Sequence, residues 1–147
     1  MVYISLPKGA DAPAVAGLVD DLRVGRGLTR YERDQRYATP GEVLYYVESR
    51  GRCHCNVSFG RGWLEVMRTA VTSNATPYVG LLWTSGDELP PTGKRVVPEP
   101  QLALEHLEAM EQGVVMIVER DSRRGVFAHQ PERSARRHGR RSRRKPL

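Results

Sequence analysis

Cys53-His54-Cys55 is the one stretch of the chain where thiol and imidazole groups stand together. It is therefore the first place to look for metal or thiol chemistry. A structural zinc site takes four nitrogen or sulfur ligands, with cysteine pairs usually spaced by two to four residues. Here a single residue separates the cysteines, no second pair exists, and the other histidines are His106, His129 and His138. Cys53, Cys55, Val57 and Phe59 alternate with His54, Asn56 and Ser58, so a strand would turn His54 away from both thiols. That pattern fits two small buried residues on one strand face. A disulfide between residues two apart on a strand is geometrically poor. A nucleophilic thiolate needs an activating base, and nothing nearby supplies one.

Other catalytic signatures are missing too. There is no serine nucleophile elbow, phosphate-binding loop or dinucleotide fingerprint, and Gly60-Arg61-Gly62 lacks the third glycine. Asp87-Glu88 lies in a proline-rich stretch and reads as solvated rather than as acid–base machinery. The residues thus point to a non-enzyme with no catalytic group, no metal and no cofactor.

The elements that would position any site follow from periodicity. Val2 to Leu6 is a β-branched apolar run closed by Pro7 and predicts a strand. Asp11 can cap a helix with Pro13 in its first turn. Val15, Leu18, Val19 and Leu22 make its apolar stripe, and Gly25 and Gly27 offer a stop. The charged, tyrosine-rich segment 29–38 reads as a connection with at most a helical turn. Thr39-Pro40-Gly41-Glu42 resembles a capping box, yet Val43 to Val47 are strand formers. The alternation at 53–59 favours a hairpin of 42–48 with 53–59 over a helix. A third strand at 62–69 would complete a meander. A helix competes there, because Trp63, Leu64, Met67 and Val71 also fit helical spacing. Tyr78 to Trp83 predicts a buried strand, and Ser85 to Pro100, with Pro90-Pro91, a loop. Residues 98–112 predict a helix with Ala103, Leu104, Leu107 and Met110 on one face and Gly113 at its end. Val114 to Val118 is a strand that Gly125 to Ala128 could pair with. The expected class is α+β, with a mostly antiparallel sheet, two main helices and a disordered basic C-terminal tail.

The chain has 147 residues and a net charge of +6, with 39% hydrophobic and 27% charged residues. That suits one globular domain, expected over residues 1–128, followed by a tail over 129–147. No apolar run approaches the roughly 18 residues of a spanning helix, the N-terminus does not read as a secretory signal, and two cysteines are too few for a disulfide framework. A cytoplasmic location without membrane contact is the resulting expectation. The charge is divided. Residues 122–147 hold ten Lys and Arg against Glu132, a net of +9, whereas residues 1–121 hold 13 basic and 16 acidic side chains, a net of −3. The high isoelectric point therefore belongs to the tail, and the body suits a cationic partner. The tail has too few apolar groups to offset the entropy of ordering. Arg136, Arg137, Arg140, Arg141, Arg143, Arg144 and Lys145 could neutralise nucleic-acid phosphates weakly and without reading sequence.

The order of features in the second half is similar to that of small bacterial immunity proteins that accompany polymorphic toxins, the kind paired with deaminase-type toxins. The residues concerned are the strand Cys53–Phe59, Gly60-Arg61-Gly62-Trp63-Leu64 turning into a strand, the Tyr78–Trp83 strand, Gly86-Asp87-Glu88-Leu89-Pro90-Pro91, Val97-Pro98, the helix Gln101–Gln112 ending at Gly113 and the strand Val114–Glu119. The N-terminal strand and helix also fit, so the resemblance covers residues 2–121. It implies a non-catalytic protein that covers a toxin's active site and presents Glu65, Asp87, Glu88 and nearby aromatic residues to a basic surface. Trp83 is the aromatic candidate, since large aromatic residues are enriched where partners bind. The expected partner is a basic protein, such as a deaminase or another nucleic-acid-acting toxin. The alternative is a nucleic-acid-associated protein that works through its arginine-rich tail.

Overall fold

The computed structural model describes residues 1–21, 25–49, 59–85 and 91–121. The chain runs β1 (Val2–Pro7), α1 (Ala12–Asp21), β2 (Gly25–Thr29), α2 (Glu32–Gln35), β3 (Glu42–Ser49), α3 (Arg61–Thr72), β4 (Tyr78–Trp83), β5 (Gly93–Pro98), a 3-10 turn (Glu99–Gln101), α4 (Leu104–Glu108) and β6 (Val114–Glu119). The strands form one six-stranded sheet in the order β2-β3-β1-β4-β6-β5. The class is α+β as expected, but the sheet is mixed rather than mostly antiparallel, because β5 runs parallel to β6.

One face of the sheet carries the long helices. Val2, Ile4 and Leu6 of β1, Val79 and Leu81 of β4, and Met116 and Val118 of β6 meet Val15 and Val19 of α1 and the inner stripe of α3. That stripe is Trp63, Val66, Met67, Ala70 and Val71, spaced at i, i+3, i+4, i+7 and i+8, as a core-facing helix requires. The Asp11 carboxylate accepts the Ala14 N–H at 3.1 Å, which supplies the expected cap of α1.

Several expectations need correction. Residues 62–69 are helical, not a third strand. The Trp63–Val71 stripe buries five large or small apolar side chains on one helix face, whereas a strand would have left half of them outside. Both edges of β3 are taken, by β1 and β2, and Phe59 lies in no strand. The rest of the expected 53–59 partner, with Cys53-His54-Cys55, lies outside the described residues. Gly25 and Gly27 belong to β2, not to a helix stop; Gly27 has φ +129° where the pairing with β3 shifts register. Part of the expected 85–100 loop is strand β5. Its prolines do not forbid that, because β5 is an edge strand with Pro98 at its last position. The helix expected over 98–112 shrinks to α4 and a preceding 3-10 turn. Ala103 is extended at φ −135°, and this break lets Leu102 and Leu107 both reach the core. Gly113, with φ +78°, turns the chain into β6. A Cβ there would stand 3.0 Å from the Thr92 hydroxyl oxygen. Gly125 to Ala128 and the 129–147 tail lie outside the described residues.

The stability expectation is direct. Met67 is fully buried, so Met67→Ala should lose about 2–5 kcal/mol. Glu65 sits exposed on the opposite side of the same helix, and Glu65→Ala should stay within about 0.5 kcal/mol. Urea unfolding of both variants checks the orientation of α3.

Candidate binding cleft

Among the described residues, the other face of the sheet is covered only in part, by α2 and the turn after it. Register fixes which side chains lie there. Tyr3 pairs with Tyr46, Ser5 with Leu44 and Pro7 with Glu42. Across the other edge of β1, Tyr3 pairs with Leu82 and Ser5 with Gly80. Gly80 faces Ile117 and Tyr78 faces Glu119, while Lys94 and Val96 sit beside Val115 and Ile117. Side chains directly opposite in an antiparallel pair share a face.

Two local devices hold the α2 segment down. Where β2 ends at Thr29, the Gln35 side chain takes over the free edge of β3. Its amide nitrogen donates to the Leu44 carbonyl at 2.7 Å, and its oxygen accepts the Leu44 N–H at 3.0 Å. A side-chain amide thus does the work of a strand partner. Asp34 is buried and accepts from the Tyr3 hydroxyl and the Arg33 Nε, both at 3.3 Å. Tyr3 in turn packs edge-on against Tyr46, which touches Tyr31. Burial and then the Asp34 charge push the Tyr3 phenol up to about 12.

Between residues 37–39 on one side and Pro91 to Lys94 on the other lies a cleft of about 400 Å³, within the usual size range of ligand pockets. Its floor is Ser5, Leu44, Leu82, Val115 and Ile117. Next to the floor, at Gly80, a Cβ would press 3.1 Å from Ser5 Cβ and 3.2 Å from Val115 Cγ1, so these two floor residues close in where a side chain would stand. A glycine inside an interior strand marks close approach of another group. The cleft's carboxylate, Glu42, accepts the Ser5 hydroxyl at 2.8 Å on one oxygen and the Tyr78 hydroxyl at 3.1 Å on the other. Burial, followed by the hydrogen bond to Glu42, raises the Tyr78 phenol above its ordinary range. Lys94 lines the opposite end.

The residues picked from sequence fall elsewhere. Glu65 points outward from α3 and forms an ion pair with Arg68 at 3.6 Å. Trp83 ends β4 on the helical side, half-buried, with its ring 5.8 Å from Phe59. Asp87, Glu88 and the tail cations lie outside the described residues. Ser5, Tyr78 and Lys94 were not singled out by motif, and Glu42 entered only as the last residue of the Thr39–Glu42 capping box, where the structure has the start of strand β3. The sequence signals that pointed to them are Gly80 interrupting an apolar strand and Glu42 opening one. Among the described residues, no three His, Cys, Asp or Glu side chains gather where they could hold a metal ion. No described helix is long and apolar enough to cross a membrane. No protein-family model, curated protein or solved structure matches the chain.

The Tyr3 phenol supplies a pH test. It loses its proton at about 12 in the folded chain against roughly 10 when unfolded. The stability it contributes is therefore complete below pH about 10 and is lost as pH rises toward 12. Urea midpoints across that window should fall, and Tyr3→Phe should flatten the fall. At neutral pH the same variant should be destabilised by about 1–3 kcal/mol, since it strips a partner from buried Asp34.

Proposed function

We propose that the chain is a non-catalytic, cytoplasmic binding protein that neutralises a basic protein partner, in the manner of an immunity protein covering a toxin's active site. The cleft is the observation that carries this reading. It joins an apolar floor to a single carboxylate on a sheet face that the long helices leave open. Its described lining holds no imidazole and no thiol. The Ser5 hydroxyl donates to a carboxylate whose other oxygen is already taken by Tyr78, so it lacks the base-and-relay arrangement of an activated nucleophile. Binding, rather than turnover, is what such a set of groups does well.

Charge supports the same partner class. Residues 1–121 carry a net of −3, and Glu65, Glu105, Glu108 and Glu111 are exposed on and after helices α3 and α4. Such a surface speeds encounter with a cationic protein at low salt and contributes less to final affinity. The tail, with ten Lys and Arg against one Glu in residues 122–147, favours a second reading in which Arg136, Arg137, Arg140, Arg141, Arg143, Arg144 and Lys145 hold nucleic acid.

Co-expression with candidate toxic domains, those found encoded beside its gene first, tests the choice. The binding reading expects cells to survive and the two proteins to co-purify, with or without residues 131–147. Absence of protection and of co-purification sinks it. Nucleic-acid binding that falls steeply with salt and vanishes with the tail would favour the second reading instead.

A further inference from the structure

We propose that the cleft is a receptor for one arginine side chain of the partner, with the aliphatic stem on Leu44, Leu82, Val115 and Ile117 and the guanidinium against Glu42. This rests on the reading of the chain as a binder of basic proteins and names the chemistry of its contact. The lone pairs of Glu42 choose arginine. A carboxylate offers about four acceptor positions. Ser5 takes one on the first oxygen and Tyr78 one on the second, leaving one on each. Two free positions on two oxygens of one carboxylate match the parallel N–H fork of a guanidinium, whereas an ammonium is a point charge that uses one. The two hydroxyls also lock the carboxylate plane, so no rotamer freedom of Glu42 remains to be lost on binding.

The rest of the cleft fits an arginine stem. Three methylenes need an apolar bed, as long basic side chains characteristically seek, and the floor is aliphatic. Gly80 lets the floor side chains close up, since a Cβ there would stand 3.1 Å from Ser5 Cβ and 3.2 Å from Val115 Cγ1. Lys94 closes the far end. It repels a cation there and so orients the head toward Glu42.

The test uses full-length protein and N-acetyl-arginine amide, with N-acetyl-citrulline amide as the neutral isostere, followed by amide chemical shifts at low salt. Saturable shifts at Ser5, Gly80, Ile117 and Lys94 are expected with the arginine probe, with a Kd on the order of millimolar. The citrulline probe should bind about tenfold or more weakly, the loss of a charge-assisted pair. Glu42→Gln should reduce arginine binding by a similar factor. Should Glu42→Gln fail to fold, the comparison of the two probes on wild-type protein decides. Equal binding of the two probes, no saturation well above millimolar concentration, shifts on α3 and α4 instead, or an unchanged Glu42→Gln variant overturns the inference. Wild-type protein that captures its basic partner while failing this titration loses the arginine cleft and keeps the binding reading. A chain that passes the titration yet binds no basic protein loses that reading.

Discussion

Strand β1 lies third in the sheet, hydrogen-bonded to β3 on one edge and β4 on the other, with Val2, Tyr3, Ile4, Ser5 and Leu6 all buried. Its even-numbered side chains enter the aliphatic core beneath α1 and α3. Its odd-numbered ones, Tyr3 and Ser5, meet Asp34 and Glu42 on the opposite face. A slip of one residue would put a phenol and a hydroxyl into the aliphatic layer and strip one donor from each of two carboxylates. Register is therefore specified from both sides at once, and everything on the second face inherits its position from that register.

The cleft is a consequence. With Ser5 fixed, Glu42 is held from β1 and from Tyr78 of β4, and Gly80, beside Ser5, lets Ser5 and Val115 close in where a side chain would stand. Gln35 and Asp34 then hold the wall formed by residues 37–39 in place, one by hydrogen-bonding the edge of β3 and the other by pairing a buried carboxylate with Tyr3. The polar groups are satisfied among themselves, which costs a buried site little.

Much of this order was legible in the sequence. β1, α1, β4 and β6 announce themselves through β-branched runs or a helical stripe, and Asp11 caps α1 as its position suggested. The helix α3 was ambiguous because a run containing Trp63, Leu64, Val66 and Met67 satisfies both periods, and only the partners decide which face is buried. β5 was hidden by the prolines around it and by Pro98 at its last position, which an edge strand tolerates. The short α4 was overextended because nothing in local spacing shows that Leu102 must enter the core through an extended residue. The cleft was the least legible part. Ser5, Glu42 and Tyr78 are far apart in the chain and meet only through the sheet order, which places β1 between β3 and β4. The surface residues chosen for charge or size, Glu65 and Trp83, sit on the helical side.

Amide hydrogen exchange on the full-length protein, alone and mixed with the basic protein partner proposed for it, addresses the central claim most directly. The expected result is new protection in residues 37–39, in β1 and β4, and in residues 91–94. Protection confined to α3 and α4, or to the residues beyond 121, would contradict it.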